Sequence, residues 1–163
     1  AEAVAGLNRA GWAVVVVTNQ AGVAKGYFPA AAVEGVHAFL AEQLAGYGGR
    51  VDGFYYCPHH PDGDVAAYRV RCDCRKPAAG MLRAAAADLG LDPARSWMVG
   101  DRETDLEAGA AAGCRTVLVR TGYGAGVDAT GLDRGRLNLE LVAADLADAV
   151  AKLGLVGVAR RAA

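Results

Sequence analysis

The chain has 163 residues, a formal net charge of −1 at pH 7 and 53% hydrophobic residues, many of which are alanines. This length suffices for one domain with its own core, and the charge balance argues against nucleic acid or an anionic membrane surface as a partner. No apolar run approaches the roughly 18 residues of a membrane span, and no signal peptide is visible.

Predicted helices and strands alternate along the chain. The run 12–17, Trp-Ala-Val-Val-Val-Val, is typical of a strand buried on both faces, as in parallel sheets. From residue 29, apolar side chains recur at helical spacing, with Val33, Val36, Leu40 and Leu44 on one face. The sequence predicts helices over 1–10, 29–45, 79–89, 106–112 and 145–153. It predicts strands over 12–17, 51–56, 96–99 and 116–119 and an edge strand over 139–142. A loop is predicted over 21–28 and a Gly-rich loop over 121–136.

This alternation predicts an α/β fold in which right-handed βαβ units build a doubly wound parallel sheet with helices on both faces. Ligands of such sheets bind at the carboxyl ends of the strands. Thr18, Asn19 and Gln20 follow the first predicted strand, a loop rich in cysteine and histidine follows the second, and Asp101 follows the third. We expect a domain over 1–153 and a flexible tail over 154–163.

Three cysteines and a histidine bound the loop after the second strand. Cys57 and His59 open it and Cys72 and Cys74 close it, so two close pairs of donors can meet at one ion. This pattern predicts a closed, tetrahedral, structural zinc site. The fourth cysteine, Cys114, precedes an apolar strand and is predicted to be a small buried residue. Because the cysteines favour metal over disulfides, we expect a reducing, cytoplasmic location.

Charged residues also lie where ligands are expected. Asp101 and Asp105 are four residues apart at a predicted strand-to-helix turn. Such carboxylates suit Mg²⁺, which binds one or two of them together with waters and a substrate phosphate; the alternative is that they only favour the helix dipole. Arg75 and Lys76 leave the cysteine loop, where a guanidinium and an ammonium can bind a phosphoryl group, although either residue alone is more typical of a solvated loop.

These motifs are more specific together than singly. Val-Val-Thr18-Asn19-Gln20 is followed by Cys57-Pro-His59-His60-Pro, then by Cys72-Asp-Cys74-Arg75-Lys76-Pro77, and finally by Val-Gly-Asp101-x-x-x-Asp105. The combination resembles the haloacid dehalogenase (HAD) superfamily of phosphatases, and within it the D-glycero-D-manno-heptose 1,7-bisphosphate 7-phosphatase family. The resemblance covers residues 1 to about 153.

The resemblance implies a phosphomonoesterase in which an aspartate attacks phosphorus and water then hydrolyses the aspartyl-phosphate. It also implies catalytic Mg²⁺, structural Zn²⁺ and a HAD-like fold. The expected substrate is a sugar phosphate, heptose 1,7-bisphosphate, cleaved at the 7-phosphate. We expect the protein to be a monomer. In the roles that the resemblance implies, Thr18 and Lys76 contact the transferring phosphoryl group, and Asn19, Gln20 and Arg75 bind the substrate with them. Asp101 and the backbone carbonyl of Arg102 bind Mg²⁺, with support from Asp105. Zn²⁺ is bound by Cys57, His59, Cys72 and Cys74.

One part of the family pattern is missing from this sequence. The family begins with a strand that ends in Asp-x-Asp-Gly-Thr, where the first Asp is the nucleophile and the second is the general acid/base, and no such sequence occurs here. In the superfamily this strand is central in the sheet, between the strands predicted over 12–17 and 96–99. Because the chain enters a predicted helix at Ala1 without a Met, we expect that its beginning has been removed and that these residues alone do not turn over substrate.

Other functions remain open at this point. Histidinol-phosphate phosphatase shares the fold, the Mg²⁺ chemistry and a similar zinc loop. A catalytically inactive, zinc-stapled binding domain would bind a ligand without releasing phosphate. A redox role for the cysteines is less well supported, because Cys72-x-Cys74 is not the Cys-x-x-Cys spacing.

Overall fold

The computed structural model describes residues 1–156, and within them the chain forms six α-helices and five strands. Short 3₁₀ turns lie at Ala66–Tyr68, Pro93–Arg95 and Gly122–Gly126. The helices are α1 (Glu2–Arg9), α2 (Ala21–Ala24), α3 (Ala30–Ala45), α4 (Gly80–Leu89), α5 (Glu103–Ala112) and α6 (Leu146–Lys152), and the strands are β1 (Val15–Asn19), β2 (Gly53–Cys57), β3 (Trp97–Gly100), β4 (Arg115–Val119) and β5 (Leu139–Ala143).

All strand pairs are parallel, which confirms the predicted α/β class. β1 pairs with β2 from Val15 opposite Gly53 to Asn19 opposite Cys57. β3, β4 and β5 form a second sheet in that order. In the part of the chain that the structure describes, β1 and β3 are therefore both edge strands, and no strand joins the two sheets.

Helices cover both faces of the sheets, as the doubly wound prediction requires. In β4, Leu118 packs in a cluster with Leu106 of α5, whereas Val117 and Val119 pack with Ala149 of α6. Alternate side chains of a strand point to opposite faces, so α5 and α6 lie on opposite sides of this sheet. β2 is covered in the same way, by α4 on one face and by α3 on the other.

The structure corrects several predicted boundaries. β1 begins at Val15 and continues through Asn19, because its pairing with β2 extends that far. α5 begins at Glu103 rather than at residue 106, because the Asp105 carboxylate accepts backbone N–H groups where the helix starts. α2 occupies part of the predicted loop over 21–28.

The predicted apolar face of α3 is wrong in part. Val33 and Leu44 are buried, but Val36 is 64% exposed and Leu40 is 36% exposed. His37 stacks on Phe54 of β2 with ring centroids 4.6 Å apart. The packed stripe therefore runs through Val33, His37 and Leu44, and Val36 lies beside it, since successive helical residues are about 100° apart around the axis.

A cavity of about 700 Å³ separates the two sheets. Apolar residues of β1 and β3 line its walls, and Thr18, Lys76, Asp101 and Asp105 line it where the strands reach their carboxyl ends. These four polar side chains, from different segments of the chain, therefore face one space.

The end of the described chain returns to its beginning. The Trp12 indole donates a hydrogen bond of 3.2 Å to the carbonyl of Leu155. Residues 157–163 of the predicted flexible tail lie outside the described residues. Along residues 1–156, no helix combines the length and the hydrophobicity that crossing a bilayer requires.

Candidate active site and metal centre

Four predicted zinc ligands form one compact cluster. The donor atoms of Cys57, His59, Cys72 and Cys74 all lie within 4.8 Å of one another. The Sγ atom of Cys57 is 3.5 Å from that of Cys72, and the Sγ atom of Cys74 is 3.4 Å from Nδ1 of His59. Two sulfur atoms bound to one tetrahedral zinc ion at about 2.3 Å lie about 3.8 Å apart. The spacing and the donor types therefore fit a single zinc ion.

The thiols of this cluster sit in different environments. Burial raises the pKa of the Cys57 thiol, and burial together with the neighbouring thiols raises that of Cys74. Burial acts in the same sense on Cys72, but hydrogen bonds from Cys74 and Cys57 outweigh it and lower the Cys72 pKa. Zinc binds thiolates, so an ion entering this cluster must displace protons from the buried thiols.

The loop that carries the cluster is fixed to the fold at both ends. Cys57 is the last residue of β2 and is fully buried. At the other end, the Arg75 guanidinium donates to the His59 carbonyl at 3.2 Å. Asn19 and Lys76 then exchange two bonds of 3.0 Å, the Asn19 amide donating to the Lys76 carbonyl and the Lys76 N–H donating to the Asn19 side-chain oxygen. The exit of the loop is thereby attached to the end of β1.

Lys76 crosses the space between the two sheets. Its ammonium donates to the Val17 carbonyl at 2.8 Å and lies 2.7 Å from Oδ1 of Asp105. Both charged side chains are nearly buried, with 10% exposure for Lys76 and 7% for Asp105. A lysine ammonium has three N–H donors. Two of them are engaged here, and the third can bind an anion at the mouth of the cavity.

Asp105 is occupied by structural contacts. Its Oδ2 accepts the backbone N–H groups of Asp101 and Arg102, both at 3.1 Å, while Oδ1 pairs with Lys76. Gly100 makes this approach possible, because a Cβ there would lie 2.3 Å from the Cβ of Asp105. The carboxylate thus positions Asp101 and Lys76.

Asp101 is the carboxylate that remains available for a cation. Its Oδ2 accepts the backbone N–H of Tyr123 at 2.9 Å, and its Oδ1 has no hydrogen-bond partner within residues 1–156. The Arg102 carbonyl, predicted to add a second ligand, accepts the N–H groups of Asp105 and Leu106 at the start of α5. Its role as a ligand of Mg²⁺ stays a prediction. Asp101 could therefore serve as one carboxylate ligand of a Mg²⁺ ion, which typically takes its other ligands from water and a substrate phosphate.

Thr18 and Gln20 form the remaining polar edge of the cavity. The Gln20 amide donates to the Thr18 hydroxyl oxygen at 3.0 Å, and the Gln20 backbone N–H donates to the Cys57 carbonyl at 2.8 Å. Because the Thr18 oxygen accepts from Gln20, its own hydrogen is free to donate to another acceptor. This geometry suits a hydroxyl that binds a phosphoryl oxygen.

The structure brings most of the predicted site residues together at one edge, with Arg75 one residue from Lys76 and tied to the zinc loop. The loop after β4 begins with Val-Arg120-Thr121-Gly122-Tyr123-Gly124, a stretch that fits the resembled family, but the sequence predicts no specific role for its residues. There the Tyr123 backbone holds Asp101, and a Cβ on Gly122, whose φ is +58°, would lie 2.2 Å from Oδ2 of Asp101. The Gly-Tyr-Gly sequence at this strand end is the signal that could have identified it. Cys114 is buried, as predicted.

Known proteins that are similar to this chain identify its family. A family model described as HAD-hydrolase-like matches residues 73–149, which include Lys76, Asp101 and Asp105. The chain is also similar to curated proteins named D-glycero-beta-D-manno-heptose-1,7-bisphosphate 7-phosphatase. It is 46% identical to that of Pseudomonas aeruginosa over 88% of this chain and 76% of the relative, and 48% identical to that of Pseudomonas putida over 76% and 66%. The Escherichia coli K12 protein of this name is 50% identical over 71% of this chain and 61% of its own length. The chain thus spans between 61% and 76% of these relatives.

Two solved structures share the fold. One is the D,D-heptose 1,7-bisphosphate phosphatase from B. bronchiseptica, complexed with magnesium and phosphate, with a TM-score of 0.79 and 41% identity over 93% of this chain and 79% of that one. The other is the D,D-heptose 1,7-bisphosphate phosphatase from Burkholderia thailandensis, with a TM-score of 0.68 and 34% identity over 93% and 81%.

Proposed function

Because the chain belongs to the D-glycero-β-D-manno-heptose-1,7-bisphosphate 7-phosphatase family of HAD-like hydrolases, we propose that it is part of a phosphomonoesterase that removes the 7-phosphate of heptose 1,7-bisphosphate. The observation that carries the proposal is the meeting of Thr18, Lys76 and Asp101 at one end of the cavity between the sheets. A hydroxyl donor, an ammonium and a metal-binding carboxylate at one point suit a transferring phosphoryl group.

Each group has a distinct part in this proposal. Thr18 donates its hydroxyl hydrogen to a phosphoryl oxygen, and the free N–H of Lys76 neutralises the charge that develops there. Asn19 holds the backbone of Lys76, and Gln20 orients the Thr18 hydroxyl. Arg75 lies beside them and helps to hold the substrate with its guanidinium.

Two metal ions complete the site. Asp101 binds Mg²⁺, which when bound supplies positive charge to the phosphoryl oxygens, and Asp105 fixes the backbone of Asp101. Cys57, His59, Cys72 and Cys74 hold Zn²⁺ with no open position, so that this ion orders the loop that ends in Arg75 and Lys76. The role of zinc is therefore structural.

The nucleophile in this proposal lies on a further strand that occupies the cavity between β1 and β3. An extended segment there would pair with both edge strands, whose second edges have no strand partner within residues 1–156. The buried indole nitrogen of Trp97, which lines the cavity, also lacks an acceptor among the described residues. A parallel strand would end beside Thr18 and Asp101 and so bring an Asp-x-Asp pair to the phosphoryl group. The first carboxylate would attack phosphorus as the ester P–O bond breaks, the second would protonate the leaving sugar oxygen, and water would hydrolyse the aspartyl-phosphate.

Phosphate release tests the proposal directly. The 163-residue chain and a form extended by the residues encoded upstream are each incubated with Mg²⁺ and either heptose 1,7-bisphosphate or histidinol phosphate. We expect release from the bisphosphate by the extended form only. Preference for histidinol phosphate would replace the substrate, binding without release by the extended form would favour a catalytically inactive domain, and turnover by the 163-residue chain would refute the need for the added strand.

The remaining parts of the proposal concern the state of the protein. We place the phosphatase domain over residues 1–153 and infer that the protein is a cytoplasmic monomer. The free zinc-binding thiols support the reducing location. Size-exclusion chromatography with light scattering tests the monomer, and a dimeric mass would contradict it.

A further inference from the structure

The turn that follows β4 holds the carboxylate that we assign to Mg²⁺. The Tyr123 backbone N–H donates to Oδ2 of Asp101 at 2.9 Å, whereas Oδ1 has no hydrogen-bond partner within residues 1–156. On the neighbouring residue, a Cβ at Gly122 would lie 2.2 Å from the same Oδ2. The orientation of the Asp101 carboxylate therefore depends on where this turn lies.

The turn has few side chains of its own to fix that position. Three of the five residues of the 3₁₀ turn Gly122–Gly126 are glycines, and its large side chain, Tyr123, is 68% exposed. Glycine has access to more backbone conformations than any other residue, so a segment of this composition is flexible unless its neighbours hold it. The position of the turn must therefore come largely from contacts with other segments.

Arg120 supplies such a contact from the end of β4. It is half-buried, and its Nη1 donates to the carbonyl of Gly124 at 3.0 Å and also to that of Val127. Its backbone N–H donates to the Ala143 carbonyl of β5 at 2.9 Å, so the residue itself is fixed to the sheet. Hydrogen bonds from a charged donor are stronger than those between neutral groups. One guanidinium thus attaches both the turn and its exit to the sheet.

The charge of Arg120 has no other partner in the described part of the chain. Across residues 1–156, Arg120 takes part in none of the ion pairs with carboxylates. The guanidinium is therefore committed to the main chain of the turn. Without it, the turn can shift away from Asp101 while the strands beneath it keep their pairing.

We infer that Arg120 is a positioning residue for the metal site, because it holds the turn that keeps the Tyr123 N–H on Asp101 and thereby sets the affinity of that carboxylate for a divalent cation. This inference rests on the proposed Mg²⁺-dependent function and adds a residue that lies behind the metal ligand. Removing a group that orients a metal ligand typically costs about 10–100-fold in metal affinity or activity. Arg120 acts through the turn, so its effect belongs at the lower end of this range.

The test measures metal binding without turnover in the extended, zinc-loaded form of the protein. Mn²⁺ is the probe, because it takes the same oxygen ligands as Mg²⁺, and the electron paramagnetic resonance signal of the free ion falls as it binds. We expect Arg120→Met to raise the Kd for Mn²⁺ about tenfold. Arg120→Lys keeps a cation with N–H donors but has a shorter reach, and should raise the Kd only about threefold. Arg134→Met is the matched control and should bind like the wild type, since Arg134 lies in the same loop and donates to the Glu140 carbonyl at 2.8 Å.

Phosphate release at increasing Mg²⁺ gives the second readout. The Mg²⁺ concentration for half-maximal rate should rise in Arg120→Met by the same factor as the Kd for Mn²⁺. The kcat at saturating Mg²⁺ should stay within about twofold of the wild type, because the variant weakens binding of the ion and not the reaction of the loaded site. A role in fold stability alone would produce neither shift in the folded protein.

Three outcomes would overturn the inference. An unchanged Kd in Arg120→Met, or in Arg120→Lys should the methionine variant fail to fold, would show that the turn holds Asp101 without the guanidinium. An equal rise in Arg134→Met would reduce the effect to a general loosening of the loop. A loss of kcat that saturating Mg²⁺ does not restore would place the effect in the reaction instead of in metal binding. A wild type that binds Mn²⁺ but releases no phosphate would refute the proposed function, while the Kd values would still decide the role of Arg120.

Discussion

Replacing Asp105 with asparagine tests the contact that joins the two sheets. The change keeps the shape of the side chain, so its carbonyl oxygen can still accept from the backbone of Asp101 and Arg102. Its amide group then faces the Lys76 ammonium, which was 2.7 Å from Oδ1. Removing one partner of a buried ion pair costs about 3–5 kcal/mol. Because the backbone bonds survive, we expect about 3 kcal/mol of lost stability, or about 6–12 °C in Tm for a chain of this size.

Urea unfolding of the wild type, Asp105→Asn, Lys76→Met and the double variant measures this coupling. The single variants should each lose stability, and the double variant should lose less than their sum by about 2 kcal/mol, because it leaves no unpaired buried charge. Glu107→Gln is the matched control in the same helix, since its ion pair with Arg136 is partly exposed to solvent and is worth about 1 kcal/mol or less. Additive single effects, or a loss in Asp105→Asn no larger than in Glu107→Gln, would refute the reasoning.

Three further expectations follow from other contacts. Gly100→Ala should cost about 2 kcal/mol or more in unfolding free energy, because the new Cβ would overlap the anchored Asp105 side chain; wild-type stability would contradict the packing. Cys72→Ala should lower the zinc content and, in the full-length protein, kcat/KM, although the thiol takes no chemical part in the reaction. Cys114→Ala is the control and should keep its zinc. Metal analysis and phosphate release measure the two effects, and normal kinetics without zinc would exclude the idea that zinc positions Arg75 and Lys76. Arg136→Ala should cost about 1 kcal/mol or less, and the loss should shrink at 1 M NaCl because its ion pairs with Glu103 and Glu107 are accessible to solvent. A loss that salt leaves unchanged would argue against an ionic origin.

The sequence predicts those features of the site that depend on local spacing. Two pairs of metal donors across one loop predict the cluster at Cys57, because the chelate is formed by residues that lie close together in the chain. Parallel strands predict that Thr18 and Asp101 share an edge of the fold, because the carboxyl ends of such strands meet there. Both predictions need only periodicity, composition and the topology of βαβ units.

Contacts between distant segments are what the sequence leaves undetermined. The spacing of Asp101 and Asp105 is equally compatible with two metal ligands and with one ligand and its support. In the structure, Lys76 and two backbone N–H groups occupy Asp105, which favours the second arrangement. Similarly, nothing in the pattern of α3 separates Val33 from Val36, since only the position of β2 determines which residue is packed. The contact between Arg102 and the Tyr123 ring also joins segments that are distant in the chain, because it depends on how the loop after β4 meets the start of α5.

The charged groups of the site depend on the separation of the two sheets. Lys76 takes its position from the Val17 carbonyl in one sheet and from Asp105, beyond the end of a strand in the other. Asp101 follows the second sheet, whereas Thr18 belongs to the first. A strand filling the cavity would therefore set the distance between the Thr18 hydroxyl, which we propose to bind the phosphoryl group, and the Asp101 carboxylate, which we propose to bind the metal. It would also carry the proposed nucleophile. The Lys76–Asp105 ion pair, which links the two sheets at the carboxyl ends of their strands, would help to keep them at that distance. On this argument, the Lys76→Met variant of the extended protein should lose stability as well as turnover, and retention of full stability would show that the inserted strand alone sets the geometry.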